Sequence, residues 1–295
     1  MDFHTAEELL ALCEQGMSIA TVMREREVTQ GETDSVTVEE RMKKALAIMR
    51  NSAHTPLTEV LPSTGGLIGG EAEKLNRNML GGKNICGSVI SKALIYSQAV
   101  PEMNASMGVI VAAPTAGSSG VLPAVLFALE EEFSLTEEQL VDGMFTAGAV
   151  GYLLMRNASV SGAQAGCQAE VGSASAMAAA AAVAMMGGTA QQSLDAASIA
   201  LGNLLGLVCD PIAGLVEAPC QSRNAIGAAN ALTCAEMTLS GIKAVVPFTE
   251  MAAAMLRIGV KLPNELRETA LGGCATTPTG CAHNCRIFGS LSVER

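Results

Sequence analysis

The run SASAMAAAAAVAMM, residues 173–186, is apolar on every face of a helix. It has neither the polar stripe of a surface helix nor the alternation of a half-buried strand, so its pattern predicts a central helix buried on all sides. From Ala174 to Met186 it is short for a membrane span, and it stops at Gly187-Gly188. A helix of this kind needs other helices packed around it. The chain supplies them.

Outward from this run, Thr5-x-x-Glu8, Thr37-x-x-Glu40, Ser134-x-x-Glu137 and Thr189-x-x-Gln192 match the capping-box pattern before apolar-periodic segments. Helices are expected at about 6–15, 38–51, 84–98, 135–155, 174–186, 190–207, 222–240 and 248–258. Glycine-rich loops separate them: STGGLIGG (63–70), APTAGSSG (113–120) and GGCATTPTG (272–280). Only 103–112 looks strand-like. The fold class expected is all-α, a helical domain with Gly-rich connecting loops around the alanine-rich helix. The more charged residues 1–55, with a turn at GETD (31–34), read as a helical N-terminal appendage to a main domain at 56–295.

Composition agrees with this. The 295 residues are 49% hydrophobic but only 3% aromatic, with no Trp, so the core is built from Ala, Leu, Met, Val and Ile. A net charge of −11 argues against nucleic acid or an anionic membrane as partner, though not against a small anion bound by local donors. The start MDFHTAEELL has acids and no basic n-region, so no secretory signal is expected. Nine cysteines, an odd number, fit a reducing, cytoplasmic setting without structural disulfides.

Three of those cysteines stand out. Cys167 lies in SGAQAGCQAEVG, just before the alanine run. Cys209 and Cys220 lie in VCDPIAGLVEAPCQ (208–221), where Pro211 and Pro219 predict an ordered loop and an acid accompanies each thiol. On their own the two thiols of that loop could be a disulfide, a metal site or unrelated buried cysteines. The spacing C-x41-C-x10-C is not that of a zinc ribbon or ferredoxin. Three thiolates at long spacing are what a site-differentiated [4Fe–4S] cluster needs, with one iron left open. A competing group in the tail, Cys274, Cys281, His283 and Cys285, has zinc-ligand character or is a set of spare thiols.

PTAGSSG, STGGLIGG and TPTG have the look of anion cradles, in which successive N–H groups face a phosphate or an amino-acid carboxylate; each could also be a tight helix connection. No P-loop, G-x-G-x-x-G, G-x-S-x-G, H-E-x-x-H or EF-hand motif is present. Histidines are scarce: His4 is terminal, His283 is in the tail, and His54 in NSAHTP reads as a helix-end surface residue.

SGAQAGCQAEVGSASAMAAAA, CDPIAGLVEAPCQSRN, MGVIVAAPTAGSSGVLPA and GCATTPTG together resemble the α subunit of the iron–sulfur-dependent L-serine dehydratases, from about Gly65 to Phe288. The resemblance implies a [4Fe–4S] cluster on Cys167, Cys209 and Cys220. It also implies substrate contacts from Ser63, Thr64, Gly65 and Gly66, from Pro114, Thr115, Ala116 and Gly117, and from Asn157 in RNAS. The implied reaction takes L-serine to pyruvate and ammonia, the open iron acting as Lewis acid for the departing hydroxyl. Neither redox change nor pyridoxal phosphate is required.

Single-chain family members carry an N-terminal GPSSSHT-type motif whose histidine is a candidate base, and that motif is missing here. The chain is therefore expected to act as an α subunit in a hetero-oligomer with a separate β subunit that supplies the base. Rival readings are an L-cysteine desulfidase on the same cluster and a non-catalytic iron–sulfur subunit with Cys234 or a tail thiol as fourth ligand. A pyridoxal-phosphate dehydratase lacks a convincing lysine and phosphate loop.

Overall fold

The computed structural model describes residues 1–289, and among them it is all-α. In chain order the helices are α1 (Ala6–Cys13), α2 (Ile19–Gln30), α3 (Ser35–His54), α4 (Glu71–Leu80), α5 (Gly87–Ala105), α6 (Val121–Phe133), α7 (Glu137–Asn157), α8 (Gly162–Ala165), α9 (Ser173–Met185), α10 (Ala190–Asn203), α11 (Cys220–Leu239), α12 (Phe248–Gly259) and α13 (Pro278–Phe288). The strand-like stretch 103–112 is not a strand. Its start completes α5 and its remainder is loop, with no partner strand for it among the described residues.

The alanine run is α9, and α6, α7, α10 and α11 wall it in. Ala178 to Ala181 have no exposed surface at all. Alanine has the highest helix propensity and the smallest side chain that still covers the backbone, so neighbouring helices can approach closely and stay close-packed. The N-terminal segment joins this core: Phe3, Leu9, Val22, Leu46 and Met49 are buried in the same cluster as Ala180, with α2 against α7. None of the described helices is long and apolar enough to cross a membrane.

Local signals placed some helix starts correctly and others not. Thr5 and Thr189 are N-caps as expected, Thr189 in a full capping box with Gln192. The α7 cap is Thr136 with Gln139; Ser134 instead ends α6 in a left-handed conformation. The α3 cap is Asp34, whose carboxylate accepts from the Thr37 N–H and hydroxyl. The helices α2, α4, α6, α8 and α13 were absent from the expected set. Pro123 in α6 and Pro278 in α13 both fall in the first turn, where a missing N–H leaves no bond unmade.

Candidate active site and comparison with known proteins

The site lies at the N-terminal end of α9, where a π-helical turn, Gln168–Gly172, joins that helix to Cys167. Such turns recur at functional positions because one extra residue redirects the side chains before it. Gln168 fixes this turn. Its amide donates to Met255 O at 2.9 Å and accepts from Gly206 N at 2.8 Å, while its N–H donates to Leu207 O at 2.9 Å. The Cys167 turn is thereby fastened to the segment that runs into Cys209.

Cys209 is held by backbone bonds on both sides, its N–H donating to Leu266 O at 2.9 Å and its carbonyl accepting from Glu268 N at 2.7 Å. The loop beyond closes on itself through Ile212 N to Ala218 O at 2.9 Å, and Cys220 opens α11. One turn along, Arg223 reaches back, donating to Val208 O and Asp210 Oδ1 at 2.7 Å each. The other oxygen of Asp210 accepts from Cys274 N at 2.7 Å.

Cys167, Cys209 and Cys220 thus lie near enough to repel one another as thiolates, all buried and all free thiols. Burial pushes Cys167 and Cys220 up to about 12, with neighbouring negative charge from Glu170 adding to it and Arg223 opposing it. Cys209 is pushed up further by burial, then by Glu170 and by the other two thiols. Burial thus favours the neutral thiol at all three. A bound cation reverses this by stabilising the thiolate.

That donor set fits an iron–sulfur cluster. The sulfurs are soft, buried and mutually close, yet they do not converge as donors around a single ion do. Among the described residues the donor atoms lying within 4.8 Å of one another are those of Glu170, Cys209 and Glu268. Ligands to a cluster each bind a different iron and so sit farther apart than ligands to one ion. The tail thiols and His283 do not gather in this way. Cys274 is half-buried, and Cys281 and Cys285 are exposed along α13. Cys234 is buried between α10 and α11 with Asn203 and Asn230.

Glu170, on the π turn, faces the thiols. Burial raises its carboxyl above the usual carboxylate range, partly offset by the Thr115 hydroxyl that donates to Oε1 at 2.8 Å. The Cys209 thiol donates to Oε2 at 3.6 Å. Gly162 lets these groups meet, since a Cβ there would run into Glu170 and lie 3.2 Å from Cys209 Sγ.

The two glycine loops expected to meet substrate differ. In Ser63–Gly66 both hydroxyls and the N–H groups of Thr64, Gly65 and Gly66 are engaged within the chain. The Ser63 hydroxyl donates to Glu217 Oε2 at 2.9 Å, Gly65 N to Glu217 Oε1 at 2.6 Å, and Thr64 N and Oγ1 to Ala105 O at 2.9 Å each. Gly66 N donates to Ser63 O at 3.2 Å, and Leu67 N completes the set with 2.9 Å to Glu217 Oε2. In Pro114–Gly117 the N–H groups of Ala116 and Gly117 have no partner among the described residues. Asn157 is exposed, and its amide donates to His4 O at 2.8 Å. His54 is packed on Tyr96 and Phe127 with Nδ1 2.8 Å from Arg50 O.

Sequence reasoning missed Glu170, Glu217 and Arg223. Only the acid beside each thiol hinted at one of them, Glu217.

Residues 14–275 match the family described as "Serine dehydratase alpha chain". This chain belongs to that family. It is 47% identical over 294 residues to a Bacillus subtilis (strain 168) protein named "Probable L-serine dehydratase, alpha chain", covering 99% of this chain and 98% of that one. It is 43% identical to the "L-serine dehydratase, alpha chain" of Peptoniphilus asaccharolyticus, covering 94% and 95%. Against the longer "L-serine dehydratase TdcG" of Escherichia coli (strain K12) it is 35% identical, covering 93% of this chain and 62% of that protein.

Proposed function

We propose that this chain is the cluster-binding catalytic α subunit of an enzyme that converts L-serine to pyruvate and ammonia. The observation that carries the reading is the meeting of three buried, unpaired thiols from separate segments at the N-terminal end of α9. Cys167, Cys209 and Cys220 would hold a [4Fe–4S] cluster, whose iron without a protein ligand supplies the Lewis acid that dehydration of a β-hydroxyl needs.

The chain's own residues supply positioning. Ala116 and Gly117 offer two backbone N–H groups for the substrate carboxylate, in the manner of an anion-binding turn. Pro114 stiffens the entry to that turn. Thr115 is held by Glu170, so the loop is registered against the thiols. Arg223 keeps a positive charge beside Cys167 and so lowers the repulsion among three thiolates. Ser63–Gly66 forms a wall placed by Glu217 rather than a carboxylate cradle. Serine loses its Cα proton and hydroxide to give aminoacrylate, which hydrolyses after tautomerisation, so water leaves and water returns.

The base for the Cα proton comes from a β subunit in a hetero-oligomer. The α-chain names of the relatives support this, as does the 62% share of the longer Escherichia coli protein. Residues 56–295 would carry the catalytic unit, and residues 1–55 would add helices that pack into its core. Free thiols throughout fit a cytoplasmic setting.

The test is anaerobic reconstitution of the chain with iron and sulfide, then assay of pyruvate from L-serine and from L-cysteine, with and without a β chain. The expected result is about four irons per chain and serine turnover only when β is added. Absence of bound iron sinks the cluster, and pyruvate from cysteine alone turns the reading to a desulfidase.

A further inference from the structure

Glu217 is only 2% exposed, and no cation pairs with it among the described residues. A buried carboxylate without a counter-ion needs hydrogen bonds, and these three come from one short stretch: Ser63 Oγ, Gly65 N and Leu67 N. That stretch is wrapped around an anion, as its sequence implies, but the anion belongs to the chain. Glu217 lies in the loop between Cys209 and Cys220, and its own carbonyl accepts from Gln221 N at 2.9 Å, next to Cys220. One side chain therefore fastens the loop carrying two of the thiols to a loop about 150 residues earlier.

We infer that Glu217 is a positioning residue through which occupancy of the thiol site sets the order of the Ser63–Leu67 loop. When Cys209 and Cys220 are drawn to a common group the intervening loop loses freedom. Glu217, rigid within it, passes that constraint to the three donors it holds. On the opposite face Arg286 donates to Gly65 O and Gly66 O at 3.3 Å each, so the loop is gripped from two sides. Gly65 is required at the inner face, where a Cβ would lie 2.9 Å from Glu217 Oε1 and run into Leu215. The inference rests on the proposed cluster site, but the latch itself exists without the cluster.

The experiment is hydrogen exchange by mass spectrometry on the full chain, metal-free and after anaerobic loading with iron and sulfide. Wild type is compared with Glu217→Gln and Ser63→Ala, and bound iron is measured in parallel. Glutamine keeps the size of the side chain but turns an NH2 toward groups that are themselves donors. In wild type, loading is expected to slow exchange across 63–67. In Glu217→Gln that segment should exchange about tenfold faster and no longer respond to loading, while iron content stays at the wild-type level.

Ser63→Ala removes one donor and should give an intermediate effect, which carries the test if Glu217→Gln does not fold. Unchanged exchange at 63–67 in the variants overturns the latch. Iron lost together with the exchange response overturns the coupling, because Glu217 then only supports the thiol loop. A wild-type chain that binds no iron overturns the cluster reading and the coupling with it, and the metal-free comparison still decides the latch.

Discussion

Ser63–Gly66 and Pro114–Gly117 are alike in sequence, each with a threonine and a glycine in a turn rich in N–H donors. The fold treats them oppositely. The first is closed around an internal carboxylate, Glu217, which takes up its hydroxyl and its inward-facing amides. The second surrenders the Thr115 hydroxyl to Glu170 and keeps the Ala116 and Gly117 amides without a partner among the described residues. A glycine-rich turn can bind an anion wherever its amides converge, but the anion it meets depends on what the rest of the chain delivers there. The difference separates a loop closed on its own chain from one that keeps two amides unengaged among the described residues.

The contrast breaks first at Gly65. Its replacement by Ala drives a Cβ against the Leu215 side chain and to 2.9 Å from Glu217 Oε1, a carboxylate already held by three hydrogen bonds. An expected loss of about 2–3 kcal/mol should appear as a lower melting temperature of the metal-free chain. An unchanged melting temperature would mean that the loop is not closed on Glu217.

Thr115→Val probes the other loop. Removing the hydroxyl leaves Glu170 Oε1 without its donor at nearly constant side-chain volume, so the loop loses its register against the thiols. In the α–β mixture the serine concentration for half-maximal rate should rise by about tenfold, the equivalent of about 1.4 kcal/mol. Bound iron should be retained. A variant with wild-type serine saturation would place substrate contact elsewhere.

Asn157→Ala should do least. The side chain is exposed and engaged only with His4 O, and loss of such a surface bond changes stability by less than about 0.5 kcal/mol. Serine saturation is expected to move by less than about twofold, within that same range. A larger rise in KM would restore to Asn157 the substrate contact that family resemblance implies and would weaken the division drawn between the two loops.

How far these features were readable beforehand varies by residue and for physical reasons. The burial of α9 was plain because an all-apolar helical run has no face to offer water. The grouping of Cys167, Cys209 and Cys220 was reachable through the motifs around them, not through their spacing, since long-range proximity leaves no periodic trace. Glu170 stood inside one of those motifs, in QAEVG, without any cue that its carboxylate would turn toward the thiols. That turn is made by a π-helical step and by the small size of Gly162, features visible only in three dimensions. The start of α13 was hidden by Pro278 and Gly280, although Thr277 caps it in the ordinary way. The occupancy of the Ser63 loop could not be read locally, because Glu217 is remote in sequence.

The three thiols come from segments that only the packed helices bring together. No short peptide of this chain presents more than two of them, and those two are separated by a ten-residue loop. An unfolded or partly synthesised chain therefore offers iron no chelating pocket, and closing so long a loop around a metal carries its own entropic cost. In contrast to a zinc finger, where the ion organises the fold, here a large alanine-walled core can form first. On the proposed reading, assembly would have a built-in order: the polypeptide would mature before the inorganic part is installed, and a nascent chain would be spared premature metallation.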